Sequence, residues 1–254
     1  MHGNEKTQTT ITTTGSAKSK LRAVSLRTAR KYSGIALIAV SLVFCPGLSI
    51  QARAENNGEH REKIPAGKLA MTFVNRVYVN PTLGTSTAAG YFADIEGVPG
   101  PFFSGSPSET TAVFTFTDHP NRTGALANGP LSVTLLGSST MKVYLNATPD
   151  QSWDKPDSFS AGQLIATLQC VPGAVFQTGD ISLVSQSYVL LGSADFVFNG
   201  QVLNLKALTP HGVTLTRLTN PTPIAGAGTT EFPLVFAVAG SGLSIGSRLS
   251  TLGP

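Results

Sequence analysis

The sequence predicts an all-β protein: a single antiparallel β-sandwich or β-barrel domain of about ten short strands, following an N-terminal signal sequence. Three observations carry this expectation. From Lys68 onward charge becomes sparse, and Val, Thr, Phe, Leu and Ser dominate, side chains suited to a half-buried pleated surface. Apolar residues in this region recur with a period of two, the spacing of strands that lay one face on a core. No helical stripe three or more turns long interrupts the runs, which argues against βαβ units.

The chain divides into a signal or targeting sequence at 1–54, a flexible linker at 55–67, a β domain at 68–248 and a tail at 249–254. Residues 1–54 hold eight basic side chains and one acid, Glu5. Their basic flank ends at Ala29-Arg30-Lys31, an apolar run covers 34–44, and Pro46-Gly47 breaks it. Ala52-Arg53-Ala54 then supplies small residues at −3 and −1 of a cut before Glu55, completing the three parts of a secretory signal. The apolar run is shorter than the ~20 residues a spanning helix needs, so contact with the membrane is transient. Cys45 does not mark a lipoprotein, because Val43-Phe44 before it are too bulky. The expected location is secreted or periplasmic. The acid-free, Ser/Thr/Arg-rich stretch 6–33 also has the composition of an organelle transit peptide, so an organelle lumen reached through a bipartite import signal is the alternative.

Removing this segment changes the charge argument. The whole chain carries +4 and a pI near 9.2, but 55–254 holds 10 basic against 13 acidic side chains, or −3. A mildly acidic mature chain lacks the electrostatic footprint of a nucleic-acid binder.

The linker 55–67 is polar and without periodicity. Strands are then expected at 69–79, 88–96, 111–117, 131–136, 141–146, 163–170, 181–191, 213–217 and 232–239. In 111–117, Ala112, Phe114 and Phe116 share a face; in 141–146, Met141, Val143 and Leu145 do; in 213–217, Val213 and Leu215 oppose Thr214 and Thr216. Asn199-Gly200, flanked by Phe196-Val197-Phe198 and Gln201-Val202-Leu203, predicts a two-residue hairpin, because both turn positions need positive φ. Turn clusters fall at Val98-Pro99-Gly100-Pro101, Asp118-His119-Pro120-Asn121, Ala127-Asn128-Gly129-Pro130 and Asn220-Pro221-Thr222-Pro223.

No catalytic residue emerges, and the reading leans away from an enzyme. Gly242-Leu243-Ser244-Ile245-Gly246 matches a hydrolase elbow, yet no His, Asp or Glu follows in 245–254 to complete a triad in that order. Gly240-x-Gly242 lacks the βαβ unit of a dinucleotide loop. His119 and His211 sit beside turn prolines, with Asp118 the one adjacent candidate for a shared metal. Cys170, on the same alternate face as Leu164, Ala166 and Leu168, reads as a core residue.

The informative loop is 146–159, where Asp150, Asp154 and Asp157 gather around the single Trp153. Asp150, Ser152 and Asp154 follow the opening spacing of a calcium loop, but Lys155 stands where Gly is needed and Ala161 where the bidentate Glu belongs. Trp153 beside carboxylates also suits stacking on a glycan ring; the structural alternative is a proline-stiffened turn with Trp153 folded onto the sheet edge. Trp153, Asp150, Asp154 and Asp157 are therefore the expected ligand-binding residues. No cofactor is expected, calcium being the one exception this spacing allows, and the identity of any metal is open.

Two functions follow. The first is an exported, non-catalytic β-domain that binds or scaffolds an extracytoplasmic ligand, a glycan among the candidates. The alternative is a small β-barrel enzyme or carrier acting on a small apolar ligand. Shape discriminates them: a closed barrel holding a cavity of roughly 300 Å³ or more favours the second.

Overall fold

The computed structural model describes residues 63–247; the signal sequence with its cleavage site, linker residues 55–62 and the tail lie outside the described residues. Ordered packing begins before Lys68: Ile64 is buried, its N–H donates to Leu208 O at 2.9 Å, and its carbonyl accepts from Ser244 Oγ at 3.1 Å.

Strands dominate the described residues: β1 (Leu69–Asn80), β2 (Thr85–Ile95), β3 (Phe114–Asp118), β4 (Arg122–Asn128), β5 (Leu131–Leu136), β6 (Ser139–Leu145), β7 (Gln163–Cys170), β8 (Gly173–Thr178), β9 (Ile181–Ser193), β10 (Phe196–Phe198), β11 (Gln201–Leu203), β12 (Val213–Thr219) and β13 (Leu234–Ser244). One short α-helix, α1 (Leu205–Leu208), precedes β12, and 3-10 turns cover Glu109–Thr111 and Pro156–Ser160. No helix among the described residues is long and apolar enough to cross a membrane.

The sheet is antiparallel and runs β12-β13-β1-β2-β3-β6-β7-β9, and β9 pairs back onto β12, closing an eight-stranded barrel. Length makes the closure possible. Strand β9 spans 13 residues; its Ser182–Tyr188 half pairs with β12 while Tyr188–Ser193 pairs with β7. Several strands exceed the short lengths expected from sequence, and alternation does not predict β4 or β8: both are half- to fully exposed and lack clear alternation. Together with β5 they extend the sheet from the first half of β9, in the order β9-β8-β5-β4, as a ribbon beyond one end of the barrel. The ribbon turns at Gly129-Pro130, within a predicted turn cluster.

Alternation sorts side chains between interior and exterior. From β1, Met71, Phe73, Asn75, Val77 and Val79 point inward, while Arg76 and Tyr78 point out. Strand β13 makes room for them. A Cβ at inward-facing Gly240 would lie 2.7 Å from the Phe73 ring, and one at Gly242 would lie 2.7 Å from Leu215 and 2.9 Å from Met71. The Gly-x-Gly string thus pairs small residues with large ones inside a small barrel. It lies wholly within an extended strand.

One barrel end is plugged. Phe73, Phe92 and Phe116 stack edge to face or tilted with centroids 5.1–6.3 Å apart. Below them Leu205 and Leu208 of α1, Phe196 and Leu203 of the hairpin, Val98 and Phe102 complete the main core. The hairpin forms as the sequence predicts, Asn199 and Gly200 adopting φ of 48° and 74°. A second cluster lies on the outer wall, where Tyr78, Ala89, Val235 and Phe159 pack with Trp153 and Phe232.

Candidate functional site: the open end of the barrel

At the end opposite the plug the interior opens into a cavity of about 330 Å³, whereas the void among Met71, Phe92, Met141 and Leu208 on the plugged side is about 10 Å³. An eight-stranded barrel is just wide enough to be filled by side chains or to hold one small ligand, and these two ends illustrate each case. The apolar part of the cavity wall is Val77 and Val79 of β1, Phe236 and Val238 of β13, Val184 of β9, and Leu136 and Val175 of the ribbon; Ser86, Thr134, Gln177, Ser182 and Thr219 add polar groups to it. The ribbon therefore supplies one wall, which explains why the sheet continues past the barrel.

The floor is polar. Arg217 of β12, 3% exposed, lines the cavity from below. Its guanidinium carbon lies 5.4 Å from the centre of the Tyr188 ring and 6.0 Å from that of Phe73. Arg217 Nη2 donates to Tyr188 Oη and lies 3.4 Å from Asp118 Oδ2. Tyr188 Oη is 2.6 Å from Asp118 Oδ2 and 2.8 Å from Gln186 Oε1, and its one proton can serve only one of them at a time. Ser139 Oγ donates to Asp118 Oδ1 at 3.0 Å. The network satisfies Asp118 but not every neighbour. Arg217 Nε, Gln186 Nε2 and both amide atoms of Asn75 are buried without a hydrogen-bond partner.

Burial sets the protonation states. It raises the Tyr188 pKa well above its ordinary value, so the phenol is neutral and available as a donor. Burial works against the charged form of Arg217, yet the oxygens of Tyr188 and Asp118 hold its pKa above the usual value. Cys170, below this layer and fully buried, is pushed up to about 11 by burial, which makes it an unreactive thiol.

Sequence reasoning missed this floor. Asp118 reads as part of a turn cluster, but it is the last residue of β3 and fully buried, whereas the adjacent His119 is exposed. Arg217 carries a usable signal: it shares parity with Val213 and Leu215, which places a charge on the core face. What alternation cannot supply is its partner, 99 residues away in the chain.

The predicted ligand loop lies elsewhere, on the outer wall. Trp153 is half-buried there, with ring centres 5.8 Å from Tyr91 and 4.8 Å from Phe159. Arg76 sits 4.8 Å above the indole, and Tyr78 Oη donates to Trp153 O at 2.7 Å. Asp150, Asp154 and Asp157 are exposed. Among the described residues no group of three or more His, Cys, Asp or Glu side chains is placed to hold a metal ion.

Fold and cavity together define an eight-stranded antiparallel barrel, plugged at one end and open at the other. No protein-family model, curated protein or solved structure matches the chain.

Proposed function

We propose that this protein is an exported barrel that binds a small, largely apolar molecule in its open end. The observation that carries the reading is the cavity of about 330 Å³, walled mainly by Val, Leu and Phe with Ser, Thr and Gln side chains among them, and floored by a buried arginine. Small-molecule sites run from about 300 to 1,000 Å³ and combine apolar walls with a few placed polar groups, so this one suits a compact ligand. Binding is preferred to turnover because Tyr188 and Asp118, the groups suited to move a proton, are not among the cavity-lining residues. Export rests on the composition of residues 1–54 and remains part of the proposal.

The test uses N-phenylnaphthylamine, a neutral dye that fluoresces in apolar sites. Saturable emission at one dye per chain is expected, and Val175→Trp, which fills the cavity from the ribbon wall, should abolish it while leaving the melting curve intact. Exposed Leu126, Phe176 and Leu218 could also attract dye, so emission unchanged by Val175→Trp would overturn the reading.

A further inference from the structure

Two arginines line the cavity, Arg217 at the floor and the exposed Arg122 at the rim, and no Asp or Glu does. Asp118 compensates one of these charges from behind the floor, and does so loosely, at 3.4 Å. Its oxygens are occupied by Ser139 and Tyr188 at 3.0 and 2.6 Å. The closest partner of the Arg217 guanidinium is accordingly a neutral phenol. A buried guanidinium is stable when its charge and its donors are both met, and Arg217 Nε has no acceptor. Every buried side-chain polar atom without a partner among the described residues belongs to Arg217, Gln186 or Asn75, all facing the barrel interior. Native proteins keep few such atoms, and of these three residues Arg217 is the one that lines the cavity, so its unpartnered Nε marks this guanidinium as placed to receive an acceptor.

We infer that the ligand is an amphipathic carboxylate, its apolar body against Val77, Val79, Val184 and Val238 and its carboxylate on Arg217, with Arg122 adding attraction at the rim. A planar guanidinium matches a carboxylate better than any other side chain does, through paired, charge-assisted hydrogen bonds. The inference rests on the cavity being a ligand site and adds the chemical class of the ligand.

Isothermal titration of the full chain with decanoate, decanol and methyl decanoate separates the two claims. Decanoate is expected to bind about tenfold or more tightly than either neutral analogue, the range of a charge-assisted hydrogen bond. Arg217→Gln alone would leave Asp118 buried and uncompensated, so the variant used is Arg217→Gln with Asp118→Asn, which keeps the layer neutral and polar. It should lose about tenfold in decanoate affinity and leave decanol within about threefold. Arg122→Gln, at an exposed site, should weaken decanoate by a smaller factor. Equal affinity for decanoate and decanol, both blocked by Val175→Trp, would overturn the carboxylate inference and leave the cavity reading standing. Binding of none of the three would overturn both.

Discussion

At the scale of single residues, the barrel interior shows how burial controls titration. Cys170 faces the core from β7, beneath Asp118, with its thiol pushed up to about 11 from an ordinary 9.0. Tyr78, packed on the outer wall beneath the Trp153 loop, is pushed up to about 12 from 10.0, again mainly by burial. The folded state therefore holds protons that the unfolded chain releases sooner. Below pH 9 both states are protonated and neither group makes stability depend on pH; as pH rises from 9 towards 11 the unfolded thiol ionises first and stability falls, with Tyr78 adding to the loss from 10 towards 12. Urea midpoints between pH 8 and 10.5 should decline accordingly. Cys170→Ala should cost on the order of 1 kcal/mol at neutral pH and flatten the first part of the decline. A midpoint that holds constant to pH 10.5, or rapid labelling of the native thiol by a bulky reagent, would contradict this placement.

At the scale of elements, β13 carries the strictest packing demand. Its string Gly240-Ser241-Gly242-Leu243-Ser244 looks like loop composition, and 232–239 is all that alternation predicts as strand. In the structure β13 runs through to Ser244, because the glycines make room for Phe73 and Met71 of neighbouring β1 and Leu215 of neighbouring β12 rather than ending the strand. Gly240→Ala should therefore destabilise by about 1–3 kcal/mol through overpacking, since its Cβ would meet both the Phe73 ring and Thr216 O. Gly192→Ala in β9 is the control. Nothing lies within 4 Å of its added Cβ, so it should be neutral or slightly stabilising by restricting the unfolded chain. Thermal melts of the two variants decide the matter, and equal midpoints would sink the packing account. The 146–159 loop makes a related point. Its acids stand out in the sequence because the domain has few, yet they are exposed, while Trp153 covers the outer wall through Phe159, Tyr91 and Arg76.

At the scale of the whole molecule, the proposed export and the proposed cavity belong together: a chain delivered outside the cytoplasm would present a preformed apolar site there. Export predicts that mature protein begins at Glu55, after Ala52-Arg53-Ala54. N-terminal sequencing of exported material should read Glu55-Asn56-Asn57, and an intact Met1 would refute the cleavage. Such a cut leaves Ile64 in place against Leu208 and Ser244, so the mature barrel would keep the contacts its first ordered residues make.

Local patterns alone determined that this chain is built of strands, which residues face inward in its most regular strands, and where its tightest hairpin turns. In β7 the expected core face fails at Leu164, which is exposed while Ile165 is buried, because the register shifts there. A period of two in Phe114-x-Phe116, Met141-x-Val143 and Val213-x-Leu215 is a property of neighbours in the chain, as are the positive φ angles that Asn199-Gly200 supplies. Only the tertiary structure decided between sandwich and barrel, because closure depends on β9 pairing with β12 and β7 along successive halves. It also decided where the polar groups meet. Asp118, Tyr188 and Arg217 come from β3, β9 and β12, with 70 and 29 residues separating successive members. Read locally, Asp118 closes β3, Arg217 lies near the end of β12 and Tyr188 sits in the middle of β9. Their convergence beneath an open apolar cavity follows from long-range register, which no local period encodes.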